Sequence, residues 1–315
     1  MESTKISKPC SAQTTSHRAD GFHLADATQI AYVHLQVSNL KRSLHFYETL
    51  VGMKRALDLG GTVALSASGQ RPYHIVLTER PDARPKPAQS TGLYHVAIRF
   101  PNRRELAKVF YRLHRNKAAF QGFSDHLVSE AIYLSDPDEN GVELYADRPK
   151  KDWLIHDNEV QMATQPLNID DLVGELSEED MHATTVDPKT DIGHVHLHVS
   201  DLKTSENFYG ELLGFDVTQR SYPGALFLSA GGYHHHIGVN VWAGRGAPPP
   251  PPEAAGLLST GIYIPIQEAM TALERRFQEK EVQFQIKQND RLGGRILRVN
   301  SPDGMAIEFF TKEQE

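Results

Sequence analysis

The stretch Ala31–Gly52, AYVHLQVSNLKRSLHFYETLVG, recurs later in the chain as Gly193–Gly214, GHVHLHVSDLKTSENFYGELLG. The two stretches align without gaps and share V-H-L-x-V-S-x-L-K, then F-Y, then a final L and G. Chance is a poor explanation for a match of this length, so the sequence contains an internal repeat.

Two shorter matches extend the repeat. GLYHVAIRFP at Gly92–Pro101 corresponds to GLLSTGIYIP at Gly256–Pro265, and Ser135–Tyr145 corresponds to Ser301–Phe310. The offsets in the three matches agree: Tyr32 and His194 are 162 residues apart, His95 and Ser259 are 164 apart, and Glu143 and Glu308 are 165 apart. The chain is therefore a duplication of a half that itself holds two units.

The apolar pattern within each unit predicts one strand, one helix and further strands. Val33, Leu35 and Val37 alternate with polar residues, which predicts a strand. Apolar residues at helical spacing then run to Gly52, a residue typical of a helix C-terminus. Short alternating segments follow and predict about three more strands.

The second unit repeats this order. Its helix is predicted over Asn102–Asn116, and Leu127–Leu134 and Val142–Ala146 are predicted strands joined by a turn. The expected fold class is α+β, with four βαβββ modules in two duplicated halves. A module this small cannot cover its own sheet, so modules are expected to pair face to face.

These patterns divide the chain into four regions. We expect a polar leader over 1–28, a first half with modules 1 and 2 over 29–147, an acidic connector over 148–190, and a second half with modules 3 and 4 over 191–315. The run Pro248–Pro252 cannot form a helix or an inner strand, and we expect a rigid linker between modules 3 and 4.

The composition argues against several classes of partner. Nucleic acid and anionic membranes favour a basic surface, whereas the net charge is -7 at pH 7, so neither is expected as a partner. No apolar run approaches the roughly 18 residues of a membrane helix. The only cysteine, Cys10, cannot form an intrachain disulfide, which fits a cytoplasmic protein. The chain holds 16 histidines, several of them in strand-like segments.

Three motifs resemble the vicinal oxygen chelate superfamily, which includes glyoxalase I, bleomycin-binding proteins and extradiol dioxygenases. They are H-x4-V-S-D-L from His194, G-L-Y-H-V-A-I from Gly92, and D-P-D-x-N-G-V-E-L-Y from Asp136. The resemblance covers nearly all of the chain from Ile30 to Phe310 and is close to Bacillus-type catechol 2,3-dioxygenases. It implies a metal held by side chains of the first strands of paired modules and by a glutamate of a fourth strand.

The resemblance implies His95, Glu143 and His194 as the metal ligands. The first-strand positions of the four modules are Tyr32, His95, His194 and Ser259, and only the two histidines among them are good ligands. Glu143 occupies the fourth-strand position of module 2. Two histidines and one carboxylate suit non-haem Fe(II), with Mn(II) as the alternative metal.

This ligand set requires module 2 to pair with module 3. The more familiar extradiol arrangement pairs modules 3 and 4, which would place His194 beside Ser259 and Glu308. Serine is a poor ligand for such a metal, so we predict a 2+3 pairing. Modules 1 and 4 would then form a degenerate pair around Tyr32, Ser259 and Glu308, with Glu308 as an inherited carboxylate.

Further roles follow from the resemblance. In GYHHHI, Gly232–Ile237, the position of the catalytic acid/base falls on His235, and His234 and His236 would point to the opposite face of a regular strand. Tyr133 has the spacing of a tyrosine that hydrogen-bonds the substrate, although it also suits a strand as filler. His126 is a candidate substrate-binding residue, but its spacing departs from the family by about two residues.

The histidines His34, His196 and His198 are harder to assign. They share first strands with the other positions, and His196 and His198 alternate onto the face of His194. One of them could line a pocket, but packing or hydrogen bonding is the simpler interpretation.

The sequence therefore predicts an Fe(II)-dependent extradiol dioxygenase acting on a small aromatic diol and O2. Two alternatives stay open: a redox-neutral, glyoxalase-type isomerase or lyase, and a non-catalytic protein that binds a small molecule. The resemblance further suggests a homo-oligomer.

Overall fold

The computed structural model describes residues 21–289 and 294–311 and contains four successive βαβββ modules. Most of the predicted leader and Cys10 lie outside the described residues. The elements of module 1 are β1 (Gln29–Val37), α1 (Leu40–Leu44), a π-helix (His45–Val51), β2 (Lys54–Asp58), β3 (Thr62–Ser66) and β4 (Ile75–Glu79). Those of module 2 are β5 (Gly92–Phe100), α2 (Arg103–Arg115), β6 (Phe120–Asp125), β7 (Ser129–Ser135) and β8 (Gly141–Asp147).

The connector holds only short elements before the pattern resumes. They are β9 (Ile155–His156), β10 (Glu159–Val160), β11 (Gln165–Pro166), α3 (Ile169–Val173) and single 3₁₀ turns at Lys150–Asp152 and Asp180–His182. Module 3 contains β12 (Asp191–His198), α4 (Leu202–Ser205), a π-helix (Glu206–Leu212), β13 (Asp216–Gln219), β14 (Ala225–Ser229) and β15 (Ile237–Asn240). Module 4 contains β16 (Gly256–Tyr263), α5 (Gln267–Glu279), β17 (Phe284–Asn289), β18 (Gly294–Asn300) and β19 (Ala306–Phe310).

The modules pair as 2+3 and 1+4, which confirms the predicted pairing. One large sheet has the strand order β11-β6-β7-β8-β5-β12-β15-β14-β13, and the other large sheet has β17-β18-β19-β16-β1-β4-β3-β2, while β9 and β10 form a separate two-stranded sheet. The expectation of face-to-face pairing was wrong. The first strand of each module lies at an edge, and β5 pairs with β12, and β1 with β16, through antiparallel hydrogen bonds. Each pair of modules therefore forms one continuous sheet.

Side chains alternate between two faces along the first strand of each module, and only one of these faces packs into the core. In β12, Val195 and Leu197 belong to the main hydrophobic core, together with residues of both sheets and of α2 and α5. Because successive side chains of a strand point to opposite faces, His194 and His196 lie on the other face. Strand β5 alternates in the same way: Val96 and Ile98 belong to the main core, whereas Ala97 between them lies on the opposite face, with His95.

Element ends match the sequence closely, with one difference. Helix α2 follows Asn102, whose side-chain oxygen accepts a hydrogen bond from the backbone N–H of Glu105, as an N-cap does. The strand predicted from Leu127 begins instead at Ser129, because Leu127 has a φ of 69° and belongs to a turn. The proline run 248–252 forms neither helix nor strand, as expected.

The duplication extends to the contacts between modules. The guanidinium of Arg112, on α2, donates to the carbonyl oxygens of Leu50 and Val51 at the end of the first π-helix. Arg276, on α5, donates in the same way to Glu211 and Leu212 at the end of the second. Cations at helix C-termini are favourable because the last carbonyls lack helical partners. These contacts join module 1 to module 2, and module 3 to module 4.

The connector crosses from module 2 to module 3. Strand β11 pairs with β6, and the carboxylate of Glu159 accepts from the backbone N–H groups of Arg220 and Ser221. The connector therefore links the outer edge of module 2 to module 3. Within the described parts of the chain, every helix falls short of the length and apolarity that crossing a bilayer would require.

Candidate metal centre

Three neighbouring strands bring His95, Glu143 and His194 together. His95 lies on β5, Glu143 on the adjacent β8 and His194 on the adjacent β12. The Oε2 atom of Glu143 is 2.9 Å from Nε2 of His95 and 3.1 Å from Nε2 of His194. All three residues are buried, and their potential ligand atoms lie within 4.8 Å of one another.

The spacing of these atoms fits a divalent metal ion. Metal–ligand bonds of about 2.1 Å at right angles would place neighbouring ligand atoms about 3.0 Å apart. Moreover, Nε2 of His95 has no hydrogen-bond partner among the described residues, although Glu143 is close. Buried polar atoms without protein partners are rare and often mark the site of a bound ion or water. The donor set therefore fits a metal, while its role as a ligand set stays a prediction.

The charges of the group also suit a cation. Burial alone would raise the pKa of Glu143, but His194 and His95 beside it lower that pKa well below its ordinary value. Burial lowers the pKa of His194 to about 4, although Glu143 opposes this change. At neutral pH the pair is thus an anionic carboxylate and a neutral imidazole, which are the protonation states that bind metals.

The equivalent position in the other sheet is closed by hydrogen bonds. Tyr32 donates to Glu308 Oε2 at 2.7 Å, and Ser259 donates to the same oxygen at 3.0 Å. Arg298 forms an ion pair with the other carboxylate oxygen. These contacts engage both carboxylate oxygens of Glu308, in agreement with the prediction of a degenerate site there.

His95, Glu143 and His194 line a cavity of about 330 Å³, a volume at the small end for ligand pockets. Tyr133 and His126 lie in its wall, and the Tyr133 hydroxyl is 2.6 Å from His126 Nε2. His126 Nδ1 is 2.7 Å from the carbonyl oxygen of Ala163 and must donate to it, so Nε2 accepts from Tyr133. Burial and then Glu143 raise the pKa of Tyr133 well above its ordinary value, so the phenol stays protonated.

Comparison with known proteins identifies the family. A profile of the Glyoxalase/Bleomycin resistance protein/Dioxygenase superfamily matches residues 29–144 and 191–309. The chain belongs to this superfamily. The match covers both halves of the repeat and confirms the resemblance and the fold class inferred from the sequence.

Individual proteins that are similar to this chain support the same family assignment. Catechol-2,3-dioxygenase of Bacillus subtilis (strain 168) is 43% identical over 271 residues, which are 82% of this chain and 93% of that protein. A candidate dioxygenase from Bacillus subtilis subsp. subtilis str. 168 has a TM-score of 0.64 at 11% identity, over 93% of this chain and 87% of that one. Glyoxalase I from Zea mays has a TM-score of 0.55 at 15% identity, over 90% and 92%. At these identities the two structures show a shared fold.

The histidine run of this superfamily member differs from the predicted strand. His234–His236 lie in irregular backbone before β15, and so His234 and His235 do not point to opposite faces. Their Nδ1 atoms are 2.8 Å apart. His235 lines the cavity, and its ring centroid is 4.0 Å from that of His194. His236 instead accepts a hydrogen bond at Nδ1 from the backbone N–H of Ala230.

Asp147 anchors this run, although none of the sequence motifs marked it as a site residue. Its Oδ1 is 2.9 Å from His234 Nε2 and also accepts from the Tyr233 hydroxyl. Burial opposes ionisation of Asp147, but His234, Arg99 and Tyr233 together lower its pKa below the ordinary value. The signal was available, because Asp147 is four residues beyond Glu143 on β8 and alternates onto the same face.

The three unassigned histidines have different surroundings. His196 lines the cavity, and its buried Nε2 has no hydrogen-bond partner among the described residues. His198 hydrogen-bonds the side chain of Asn240, and His34 hydrogen-bonds Thr78 in the other sheet. Only His196 thus contributes to the cavity wall, whereas His34 and His198 have the hydrogen bonds that the simpler interpretation predicted.

The remaining cavity wall includes residues that no sequence motif marked. Met162, Ala163 and Thr164 come from the connector, and Thr164 hydrogen-bonds the hydroxyl of Tyr222 across the cavity. Aromatic residues from four separate loops or strands complete the wall: Tyr94, Tyr222, Phe227 and Trp242. Nothing in the local sequence of these residues indicates that they meet, because their proximity depends on the 2+3 pairing.

Proposed function

We propose that this chain is an Fe(II)-dependent extradiol dioxygenase, a catechol 2,3-dioxygenase that cleaves catechol or a substituted catechol with O2. The observation that carries the proposal is the buried set His95, Glu143 and His194 at the cavity. Two histidines and one carboxylate with open coordination positions are typical of non-haem Fe(II) oxygenases. The 43% identity to a protein named catechol-2,3-dioxygenase supports the same reaction.

The chain's own residues supply the other functions that the reaction needs. Fe(II), when bound, would supply the electron transfer between the diol and O2. His235, whose Nε2 lies buried in the cavity wall, would accept the proton of a diol hydroxyl and return it later. The Tyr133 hydroxyl, held by His126, would orient a diol oxygen. The connector residues Met162–Thr164, which line the cavity, would help to exclude water from it.

The cavity wall favours uncharged catechols. Among the described residues that line it, none is lysine or arginine, and Glu143 is an anion. A carboxylate on the substrate would therefore be desolvated without a cationic partner. Val128, Leu134 and Met162 offer apolar surface instead. We propose catechol or an alkyl-substituted catechol as the substrate, and a cytoplasmic location and a homo-oligomer remain part of the proposal.

The test is an assay of oxygen uptake. The full chain would be loaded anaerobically with Fe(II), mixed with catechol and air, and followed by oxygen consumption and by the yellow ring-opened product. We expect turnover in the wild type, its loss in Glu143→Gln, and its retention in Glu308→Gln, which removes the equivalent carboxylate of the other sheet.

Two results would contradict the proposal. Activity that survives Glu143→Gln but not Glu308→Gln would move the metal to the other sheet. A tightly bound metal without oxygen uptake on any diol would favour the redox-neutral alternative.

A further inference from the structure

A line of three side chains runs from β8 into the cavity. Asp147 Oδ1 is 2.9 Å from His234 Nε2, and His234 Nδ1 is 2.8 Å from His235 Nδ1. His234 is fully buried, and the indole of Trp153 packs against its ring with centroids 5.2 Å apart. At the far end, His235 Nε2 is buried in the cavity wall without a hydrogen-bond partner among the described residues.

The direction of each hydrogen bond follows from the carboxylate. An ionised Asp147 can only accept, so Nε2 of His234 must carry a proton and donate it. Nδ1 of a neutral His234 is then an acceptor, and Nδ1 of His235 must donate to it. A neutral imidazole carries one proton, so Nε2 of His235 is left as a bare acceptor that faces the cavity.

The carboxylate is itself held in place. The Tyr233 hydroxyl lies 3.1 Å from Oδ1 and 3.0 Å from Oδ2 of Asp147, and the Tyr145 hydroxyl is 2.6 Å from that of Tyr233. Arg99 forms an ion pair with the same carboxylate at 3.5 Å. The donors around Asp147 keep it oriented toward His234, so the line has a fixed starting point.

We propose that Asp147 and His234 are positioning residues that fix the tautomer and the orientation of His235. They leave Nε2 of His235 free to take a proton from a substrate hydroxyl, and they hold the ring against rotation. The arrangement is analogous to a serine-protease triad, in which an aspartate holds a histidine in the reactive tautomer. The catalytic consequence rests on the proposed function, whereas the tautomer itself does not.

Two substitutions of His234 separate positioning from simple structural support. The amide oxygen of asparagine can replace Nδ1 of histidine as the acceptor for His235, but it loses the bond to Asp147. The amide nitrogen of glutamine can replace Nε2 as the donor to Asp147, but it loses the acceptor for His235. A purely structural role for the Asp147 bond would make His234→Gln the milder variant, and positioning would make His234→Asn the milder one.

His236→Asn is the matched control. His236 is a buried neighbour in the same run, and its Nδ1 accepts from the backbone N–H of Ala230. The asparagine oxygen can keep that bond. The control therefore perturbs the run to a similar extent without touching the line from Asp147 to His235.

The first readout is the ¹⁵N NMR spectrum of the histidine rings in the full chain, recorded without metal and again with Zn(II). His235→Asn assigns the His235 signals by their loss. We expect His235 to be protonated at Nδ1 and bare at Nε2 in the wild type, in His234→Asn and in His236→Asn. In His234→Gln we expect that pattern to disappear. A proton on Nε2 of His235 in the wild type would overturn the assignment.

The second readout is the steady-state rate with catechol at equal Fe(II) content. Losing a residue that orients a reactive group typically costs about 10–100-fold, and we expect that loss of kcat in His234→Gln with KM unchanged. His234→Asn should retain more activity than His234→Gln, and the reverse order would overturn the positioning role. If the wild type oxidises no diol, the proposed function fails, whereas the NMR result still decides the tautomer.

Discussion

Glu143 and Glu308 occupy equivalent positions in the two sheets, and their neighbours decide what each can do. Glu143 pairs across the strands with Tyr133, whereas Glu308 pairs with Arg298. The arginine neutralises Glu308 directly, and the hydroxyls of Tyr32 and Ser259 complete its hydrogen bonds. A few side-chain differences therefore separate an open donor set from a closed one on the same backbone.

Another buried residue, His74, should make the stability of the protein depend on pH. Burial lowers its pKa from 6.5 to about 4, although Asp191 opposes this change. The unfolded chain binds the His74 proton more readily than the folded chain does. The contribution of His74 to the free energy of unfolding is therefore complete above pH 6.5 and is lost as the pH drops toward 4. This pKa shift of His74 corresponds to a contribution of about 3 kcal/mol at most to the free energy of unfolding. Urea denaturation of the metal-free protein between pH 4 and 7 would measure this loss.

The variant His74→Asn isolates this contribution. Asparagine offers an oxygen where Nδ1 of His74 accepts from the backbone N–H of Ala67, but it does not titrate. We expect the free energy of unfolding of the variant to fall less steeply below pH 6.5 than that of the wild type. Equal slopes in the two proteins would refute the role of His74.

At the scale of single elements, an irregularity in β12 sets the direction of His194. The register between β12 and β5 shifts between Ile192 and His194, so Gly193 lies in a bulge. A Cβ atom on Gly193 would lie 1.6 Å from the hydroxyl oxygen of Tyr145, which is fully buried. Glycine is required here because Tyr145 occupies the space of any larger side chain.

Gly193→Ala should therefore weaken metal binding. Either β12 or Tyr145 must move, and overpacking of this kind costs about 1–3 kcal/mol of stability. Because His194 is the next residue, we expect lower affinity for Fe(II) or Zn(II) in a calorimetric titration. The control is Gly261→Ala, whose Cβ would lie 2.1 Å from the ring of Tyr32 in the other sheet. Equal losses of metal affinity in both variants would show that the effect is general destabilisation.

At the scale of the whole molecule, the candidate ligand set joins modules from different halves of the chain. His95 and Glu143 belong to module 2, and His194 belongs to module 3, so a bound metal would hold the β5–β12 junction closed. A metal that binds only the folded state, at 100 times its dissociation constant, adds about 2.7 kcal/mol to the free energy of unfolding. We expect Tm to rise with Zn(II) in the wild type and in Glu308→Gln. In Glu143→Gln, scanning calorimetry should show no rise; an equal rise there would place the metal elsewhere.

Much of this organisation could be predicted from the sequence. The repeat and the strand alternation predicted the modules, and the resemblance to the superfamily selected His95, Glu143 and His194 for the candidate site. The contact between His234 and His235 was missed because the run Gly232–Ile237 has the composition of a strand, and a strand would turn His234 away from His235. The backbone there is irregular instead, and local composition does not reveal this.

The sequence by itself determined the four modules, their α+β class and the superfamily, because strand and helix periodicity and repeated motifs are local properties of the chain. Only the tertiary structure decided that modules join edge to edge, that Met162–Thr164 cover the cavity, and that Asp147 reaches His235 through His234. These features depend on contacts between residues tens of positions apart. Such contacts arise from packing and from hydrogen bonds between strands, and periodicity along one segment does not encode them.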